Sequence, residues 1–202
     1  NASAGNIGIT VNAFANLIEE KFDLGMFVGE LPESSLVART IAETDLMLCA
    51  SPEFIELNGM PSSLEELQSM AFVKIGEGMQ VESFDMIHVS GEISTIKLEP
   101  HIVTNHIAAA MNSIIQGAGV GVLPMFMASE YLLTGRMIPI MNDWSFRPQS
   151  LSVVYPSRQY LSLKVRCFID FLVTEIEQLK LSLDRLPKDE KLFAAYKKLI
   201  EN

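Results

Sequence analysis

The feature that most constrains the fold is a glycine-rich run between two apolar helical patterns. The segment "GAGVG" occupies residues 117–121. A phosphate-binding loop needs a strand before its glycines and a helix after them, because that helix supplies the free N–H groups. Here the order is reversed, since apolar residues at helical spacing precede the glycines: Ile107, Ala110, Met111, Ile114 and Ile115. The glycines are therefore predicted to end a helix over residues 106–116 and pack it on a strand.

The residues after the glycines complete this unit. Residues 120–123 are typical of a short buried strand. Pro124 can begin a helix over Met125–Leu133, because the first turn does not need its missing N–H, and Gly135 ends that helix.

Short apolar strands alternate with helical patterns along the rest of the chain, which predicts an α/β protein with mostly parallel sheets. The predicted strands are Ile7–Val11, 23–29, Leu36–Ile41, Leu46–Ala50, Phe72–Ile75, Ser83–Val89, Ile93–Leu98, Met137–Met141 and Ser152–Tyr155. A helix is predicted over Ala13–Glu20, and an amphipathic helix over residues 163–179 has Val165, Phe168, Ile169, Leu172 and Ile176 on one side. A terminal helix carries Leu192, Phe193, Tyr196, Leu199 and Ile200.

Two short helices are predicted from their capping residues. Ser51 caps a helix that ends at Gly59. Ser62 or Ser63 caps the next helix, and Glu65 or Glu66 completes its capping box.

Charge and composition exclude several kinds of function. With 202 residues, 49% hydrophobic, the chain can bury a core as one domain or two small lobes. The formal charge is −10, which argues against direct contact with nucleic acid, because phosphates are held by clustered Lys and Arg. No apolar run is long enough to span a bilayer, and the first residues do not resemble a signal peptide.

No catalytic or metal-binding constellation stands out. Cys49 and Cys167 lie in an apolar strand and an apolar helix, where cysteine usually acts as a small buried hydrophobe. The three histidines, His88, His101 and His106, lack metal-ligand spacing. Neither a nucleophile elbow nor a paired carboxylate can be assembled. We therefore expect no cofactor, no metal and no enzymatic activity.

Several landmarks resemble the effector-binding domain of LysR-type transcriptional regulators. The run "FDLGMFVGELPESSLVAR" leads to a strand and "ASPEF", as in that family. "QGAGVGVLP" is similar to its Gly-rich turn and Leu-Pro, and it is followed by a Gly-Arg and an Asp-Trp. "YPSRQYLSLKVRCFIDFL" is similar to its last strand and helix. The resemblance covers about three quarters of the chain. One strand and helix that the family places before Ile7 are not visible.

The resemblance implies a two-lobed, periplasmic-binding-protein-like (type 2) α/β fold with two crossovers between lobes. Lobe I would comprise residues 1–44 plus 151–182, lobe II residues 45–150, and a helical tail residues 183–202. A small-molecule effector would bind between the lobes of a homodimer or homotetramer in the cytoplasm, and DNA would contact only an N-terminal winged helix-turn-helix domain outside this chain. The alternative is an exported solute-binding protein of the same fold.

The resemblance also points to candidate ligand-binding residues. Thr104 or Asn105 would cap the helix before the glycines, and these two residues with His106 would face the mouth of the cleft. Capping alone would equally explain them. Further candidates are Asn12, Gly29, Lys74, Ile75 and Gly76. For Asn12 and residues 74–76, a solvated loop position is the alternative.

Overall fold

The computed structural model describes residues 23–29, 31, 36–155 and 162–185. The strand expected at Ile7–Val11, the helix at Ala13–Glu20, the candidate Asn12 and the terminal helix after residue 186 lie outside the described residues. The chain forms two compact units. Unit 2 comprises residues 44–149, and unit 1 comprises the described residues on either side, so the chain passes between the units twice.

Unit 1 is a three-stranded sheet covered by one long helix. Its strands, in the order β1-β11-β2, are β1 (Gly25–Val28), β2 (Val37–Thr44) and β11 (Gln149–Tyr155). The helix, α5, spans Leu163–Arg185. Val165 and Ile169 of α5 are buried against a cluster that includes Leu24 and Val153, which confirms the apolar side predicted for this helix.

Unit 2 contains a five-stranded sheet and a three-stranded sheet. The larger one has the order β7-β4-β8-β3-β9, built from β3 (Leu46–Ala50), β4 (Phe72–Ile75), β7 (Pro100–Thr104), β8 (Val120–Pro124) and β9 (Ile138–Pro139). The smaller one has the order β10-β5-β6, built from β5 (Glu82–His88), β6 (Ile93–Leu98) and β10 (Trp144–Phe146).

The prediction of mostly parallel sheets is wrong. Among the pairings described, β4 is parallel to β7 and β8, whereas β3–β8, β3–β9, β5–β6, β10–β5 and β1–β11 are antiparallel. Short apolar runs reveal that strands exist but do not encode their direction, which depends on which distant strands pair.

The prediction for the glycine run is confirmed. Helix α3 (Ile107–Ile115) ends where Gly117 N–H bonds to the Ile114 carbonyl at 3.0 Å and Ala118 N–H bonds to the Ser113 carbonyl at 3.0 Å. Gly119 lies so close to β4 that an added Cβ would collide with the Ala71 carbonyl. Strand β8 follows, and α4 spans Met125–Leu133 as predicted.

The capping predictions hold as well. Ser51 accepts from Phe54 N–H at 3.1 Å and begins α1 (Pro52–Asn58), which Gly59 ends. Ser63, rather than Ser62, caps α2 (Leu64–Gln68). Of the two candidate glutamates, Glu66 reaches back, accepting from Ser62 N–H at 2.7 Å. That backbone bond and a second from the Ser62 hydroxyl lower the pKa of Glu66.

Several strand limits differ from the sequence prediction. Strand β2 continues to Thr44 instead of ending at Ile41, and β9 shrinks to Ile138–Pro139. Strands β7 and β10 were not predicted. Their pairing depends on partners far along the chain, which local patterns do not contain.

The two cysteines differ in environment. Cys49 is fully buried in the core of unit 2 beside Met137, as predicted, and this burial raises the pKa of its thiol to about 12. The prediction that Cys167 is buried is wrong. It is exposed, because it lies two residues after Val165 on the opposite side of α5.

Candidate effector site

Strands β4 and β7 bring two groups of predicted ligand residues together. They run parallel, with Ile75 paired to Thr104 and Lys74 paired to Val103. One residue further, Gly76 N–H donates to the Thr104 carbonyl at 3.0 Å. Because the carboxyl ends of parallel strands meet at one edge of the sheet, residues 74–76 and 104–106 are neighbours there, although about 30 positions separate them in the sequence.

The cap of α3 is not the one expected. His106 occupies the N-cap position, and its Nδ1 accepts from Ala109 N–H at 3.3 Å. Thr104 instead accepts from His106 N–H at 3.1 Å. Thr104 is held in β7 by its pairing with Ile75, so the N-cap falls two residues later, at His106. The prediction that Thr104 or Asn105 caps α3 is therefore wrong.

This end of α3 offers hydrogen-bond donors. Of its first backbone N–H groups, that of Ala109 is bonded to His106, while Ile107 and Ala108 have no acceptor one turn earlier within the helix. The Thr104 hydroxyl carries a proton that it can donate, and Asn105 and His106 are exposed. Since His106 Nδ1 is an acceptor here, its neutral ring carries a proton on Nε2. These donors and the dipole of α3 together favour binding of an anionic or polar group at this end of the helix.

Lys74 is buried, contrary to the solvated-loop alternative. Only 3% of its side chain is exposed, and its ammonium lies 2.7 Å from a Glu82 carboxylate oxygen. It also donates to the Gln80 carbonyl at 3.2 Å. Its charge is therefore matched within the protein, and it ties the loop after β4 to the start of β5.

Other parts of unit 2 meet at the same edge. Strand β8 is also parallel to β4, and it ends at Pro124, where α4 begins. Met125 N–H donates to the Asp45 carbonyl at 2.8 Å, immediately after the chain enters unit 2 at Thr44. The edge that carries the candidate residues is thus also the edge at which the chain enters this unit.

The remaining candidate residues are not brought to this edge by unit 2. Gly29 belongs to unit 1, where it follows β1 with φ 103° and donates to the Ser150 carbonyl at 2.9 Å. A surface depression of about 220 Å³ in unit 2 is lined by residues that include Asn58, Glu66 and Ala71. Ala71 precedes β4, so this depression lies at the opposite end of that strand from Thr104.

Sequence reasoning missed two elements of this site, the strand β7 and the cap at His106. Only the "PHIVT" pattern before the helix could have indicated that Thr104 belongs to a strand. Within the described ranges, no three His, Cys, Asp or Glu side chains are grouped as metal ligands. The helices of those ranges also lack the length and apolarity that crossing a membrane requires.

Comparison with known proteins identifies the fold and then the family. The structure is similar to the regulatory domain of CrgA, a LysR-type transcriptional regulator from Neisseria meningitidis, with a TM-score of 0.68 and 28% identity over 81% of this chain and 80% of that one. It is also similar to the regulatory domain of AphB from Vibrio vulnificus, with a TM-score of 0.57 and 28% identity over 77% and 76%. The fold is therefore the periplasmic-binding-protein-like type 2 fold of LysR regulatory domains.

The family profile of the LysR substrate binding domain matches residues 7–177, and the chain belongs to that family. Among curated relatives, the HTH-type transcriptional regulator CrgA of N. meningitidis serogroup C is 28% identical over 169 residues, 83% of this chain and 56% of the relative. The regulator DmlR of Escherichia coli is 27% identical over 157 residues, 78% and 51%. The chain thus spans about half the length of these relatives.

Proposed function

We propose that this chain is the effector-binding and oligomerisation module of a LysR-type transcriptional regulator. A small metabolite binds between the lobes and changes the arrangement of a DNA-bound homodimer or homotetramer. DNA is contacted through an N-terminal helix-turn-helix domain of the whole protein, which acts in the cytoplasm. The relatives are named as transcriptional regulators, which favours this function over an exported solute-binding protein or an enzyme.

One observation carries the assignment of the site. The Gly76–Thr104 hydrogen bond joins two groups of residues that the family resemblance suggested separately. Ligands of open α/β sheets bind at the carboxyl ends of strands, and both groups follow such ends. The chain enters unit 2 beside Met125 at the same edge. We propose that lobe I completes the site through Asn12 and Gly29.

The proposed roles differ among the residues. Thr104, Asn105 and His106 present a hydroxyl, an amide and a ring N–H to the effector, beside the backbone donors of Ile107 and Ala108. Ile75 and Gly76 form the neighbouring wall. Lys74 acts through the loop that it holds, because its ammonium already pairs with Glu82.

We propose three segments for the chain: lobe I at 1–44 plus 151–182, lobe II at 45–150, and a C-terminal tail at 183–202. The change of unit at residues 43/44 and 149/150 supports the first two. An effector switches the regulator only if it binds one lobe arrangement better than another, and a difference of about 1–3 kcal/mol would suffice.

Ligand screening with exchange mapping tests this proposal. A metabolite library is screened by thermal shift on the 202-residue protein, and hydrogen exchange is then measured with and without each stabilising compound. Slower exchange at residues 75–76 and 104–109 is expected, because bound ligand covers these amides. Protection confined to the depression near Glu66 would contradict the assignment.

A further inference from the structure

Helix α5 carries a second apolar stripe on the side that faces away from its sheet. Leu163, Cys167 and Phe171 follow one another at intervals of four residues, so they share one face of the helix. Leu163 is 77% exposed, Phe171 is 56% exposed, and Cys167 is exposed as well. The ring centroid of Phe171 lies 6.5 Å from that of the half-buried Phe168. Two turns of α5 thus present apolar side chains to solvent.

Single exposed apolar residues are common on protein surfaces and need no explanation. Leu133, 50% exposed at the last residue of α4, is one of these. The stripe on α5 differs, because its members adjoin one another and Thr174 continues it without a charge. The Thr174 hydroxyl itself donates to the Asp170 carbonyl at 3.0 Å. An uncharged surface that includes an aromatic ring is typical of the core of a protein interface.

The charges beside this stripe have opposite signs. Arg166 and Asp170 are four residues apart, so both lie on one flank of the stripe, and both are exposed. The Asp170 carboxylate is 3.9 Å from the Arg39 guanidinium, and 74% of its side chain remains exposed. An ion pair of that length in solvent is weak. Asp170 can therefore accept hydrogen bonds from a further guanidinium.

These residues are arranged so that α5 is complementary to itself. When two copies of a helix pair antiparallel about a two-fold axis, residues equally far before and after the axis face each other, and each flank meets the same flank of the other copy. With Cys167 at the axis, Leu163 of one copy faces Phe171 of the other. On the flank, Arg166 of one copy and Asp170 of the other are offset by two residues, about 3 Å along the helix. One register thus joins apolar side chains to each other and opposite charges to each other.

We infer that α5 is an interface between two copies of this chain, which pair antiparallel through Leu163, Cys167 and Phe171. Two symmetry-related ion pairs between Arg166 and Asp170 fix the register. The partner is a second copy because the same stripe supplies both halves of the match. This inference rests on the homo-oligomer of the proposed function, and it adds the surface that makes one of its contacts.

The association is weak and depends on protein concentration. A contact along one helix is smaller than the roughly 1,200–2,000 Å² of a stable protein interface. The charge of −10 on each copy also opposes it. Crosslinking at a defined position therefore detects this contact better than a measurement of mass. Cys167 provides that position, since Cys49 is fully buried.

Crosslinking of the 202-residue protein with a short bismaleimide, which joins two thiols without an oxidant, tests the inference. A covalent dimer linked at Cys167 is expected, identified by peptide mass spectrometry, in a yield that rises with protein concentration. Leu163→Ser combined with Phe171→Ser should lower that yield by about tenfold or more, because each dimer loses four apolar side chains from its interface. Leu133→Ser is the matched control and should leave the yield unchanged.

Charge-swap variants test the register. Arg166→Asp should lower the yield, because it places two carboxylates together on the flank, and Arg166→Asp combined with Asp170→Arg should restore it. Equal melting temperatures would show that all variants fold. A Cys167→Ser protein that also carries Ser90→Cys, in an exposed turn of unit 2, measures crosslinking by random collision.

A yield no higher than that of the Ser90→Cys control overturns the inference. A yield that is insensitive to the Leu163 and Phe171 changes, or that the charge swap does not restore, also overturns it. If light scattering still shows an oligomer in any of these cases, the oligomer of the proposed function remains and its interface lies elsewhere. Effector binding is judged separately by the ligand screen with exchange mapping.

Discussion

The two ends of α3 have opposite character. At its C-terminus, Gly117 closes the last turn and Gly119 lies against the Ala71 carbonyl, so the backbone is packed on β4 without room for a side chain. At its N-terminus, about 13 Å away at 1.5 Å per residue, Asn105 and His106 are exposed and two backbone donors lack a helical partner. The glycines therefore indicate the packed end of α3, and residues 104–106 ("TNH") lie at its solvent-exposed, open end.

This contrast separates stability from binding. Changes at the packed end should act on folding, because a side chain added at Gly119 would meet backbone atoms of Ala71. Changes at the open end should act on the ligand, because the groups there are already solvated. The following predictions test that separation, from the largest expected effect to the smallest.

Cys49 reports on the packed end, since it pairs with Gly121 two residues after Gly119. Its pKa is raised by burial from 9.0 to about 12, so its thiolate fraction at neutral pH is lowered about a thousandfold. We expect an alkylating reagent to modify exposed Cys167 and leave Cys49 intact in native protein, as read by peptide mass spectrometry. Equal labelling of both would show that the packed end opens readily.

The raised pKa of Cys49 also predicts that the stability of the protein depends on pH. A folded-state pKa above the unfolded value stabilises the native state fully below about pH 9 and loses that contribution as the pH rises towards 12. In a Cys49→Ala variant this part of the decline in unfolding free energy should be absent. Urea titrations on both proteins across that range provide the check.

Gly119→Ala should lower the free energy of unfolding by about 2–4 kcal/mol, because its Cβ would meet the Ala71 carbonyl of the backbone. Gly121→Ala is the matched control. There the added Cβ meets the end of the Ile114 side chain, which can move, so the loss should be smaller. Equal urea midpoints for the two variants would contradict the close packing described at Gly119.

Lys74→Met should cost about 1–3 kcal/mol of stability, because it removes a buried charge that Glu82 and the Gln80 carbonyl require. The exposed Lys97 makes a suitable control, and Lys97→Met should change stability little. Hydrogen exchange should also speed up in residues 77–81 of the Lys74 variant only. Unchanged exchange there would mean that Lys74 does not hold the loop.

His106→Ala should cost about 1 kcal/mol through loss of the helix cap, whereas Asn105→Ala should cost almost none. The exposed His101 is the control position, since its ring makes a local hydrogen bond to the Glu99 carbonyl two residues away and does not cap a helix. Thermal denaturation of the three alanine variants distinguishes them. A larger loss of thermal stability in Asn105→Ala than in His106→Ala would indicate that Asn105 caps α3, as the sequence predicted.

The parts of the fold and of the candidate site that could be predicted from the sequence are those determined by residues close together in the chain. Gly117, Pro124, Ser51 and the Glu66 box act on residues within a few positions, and their elements were predicted correctly. The parallel pairing of β4 with β7 and the burial of Lys74 depend on Thr104 and Glu82, which local patterns do not connect. The N-cap of α3 could not be predicted for the same reason. N-cap preferences favour Thr or Asn, but the pairing of Thr104 with Ile75 keeps Thr104 in β7, and His106 becomes the cap.

The most direct test of the central claim is calorimetry with an effector obtained from the ligand screen. Thr104→Ala combined with Asn105→Ala should weaken binding by about 1–3 kcal/mol. Its cost in stability should be only about 0.5–1.5 kcal/mol, because neither residue is the cap and only the hydrogen bond from His106 N–H to the Thr104 hydroxyl is lost. Folded Gly119→Ala protein should bind with parental affinity despite its lower stability. Unchanged affinity in the double variant, with affinity lost in Gly119→Ala, would place the site at the glycine end of α3 and contradict the account.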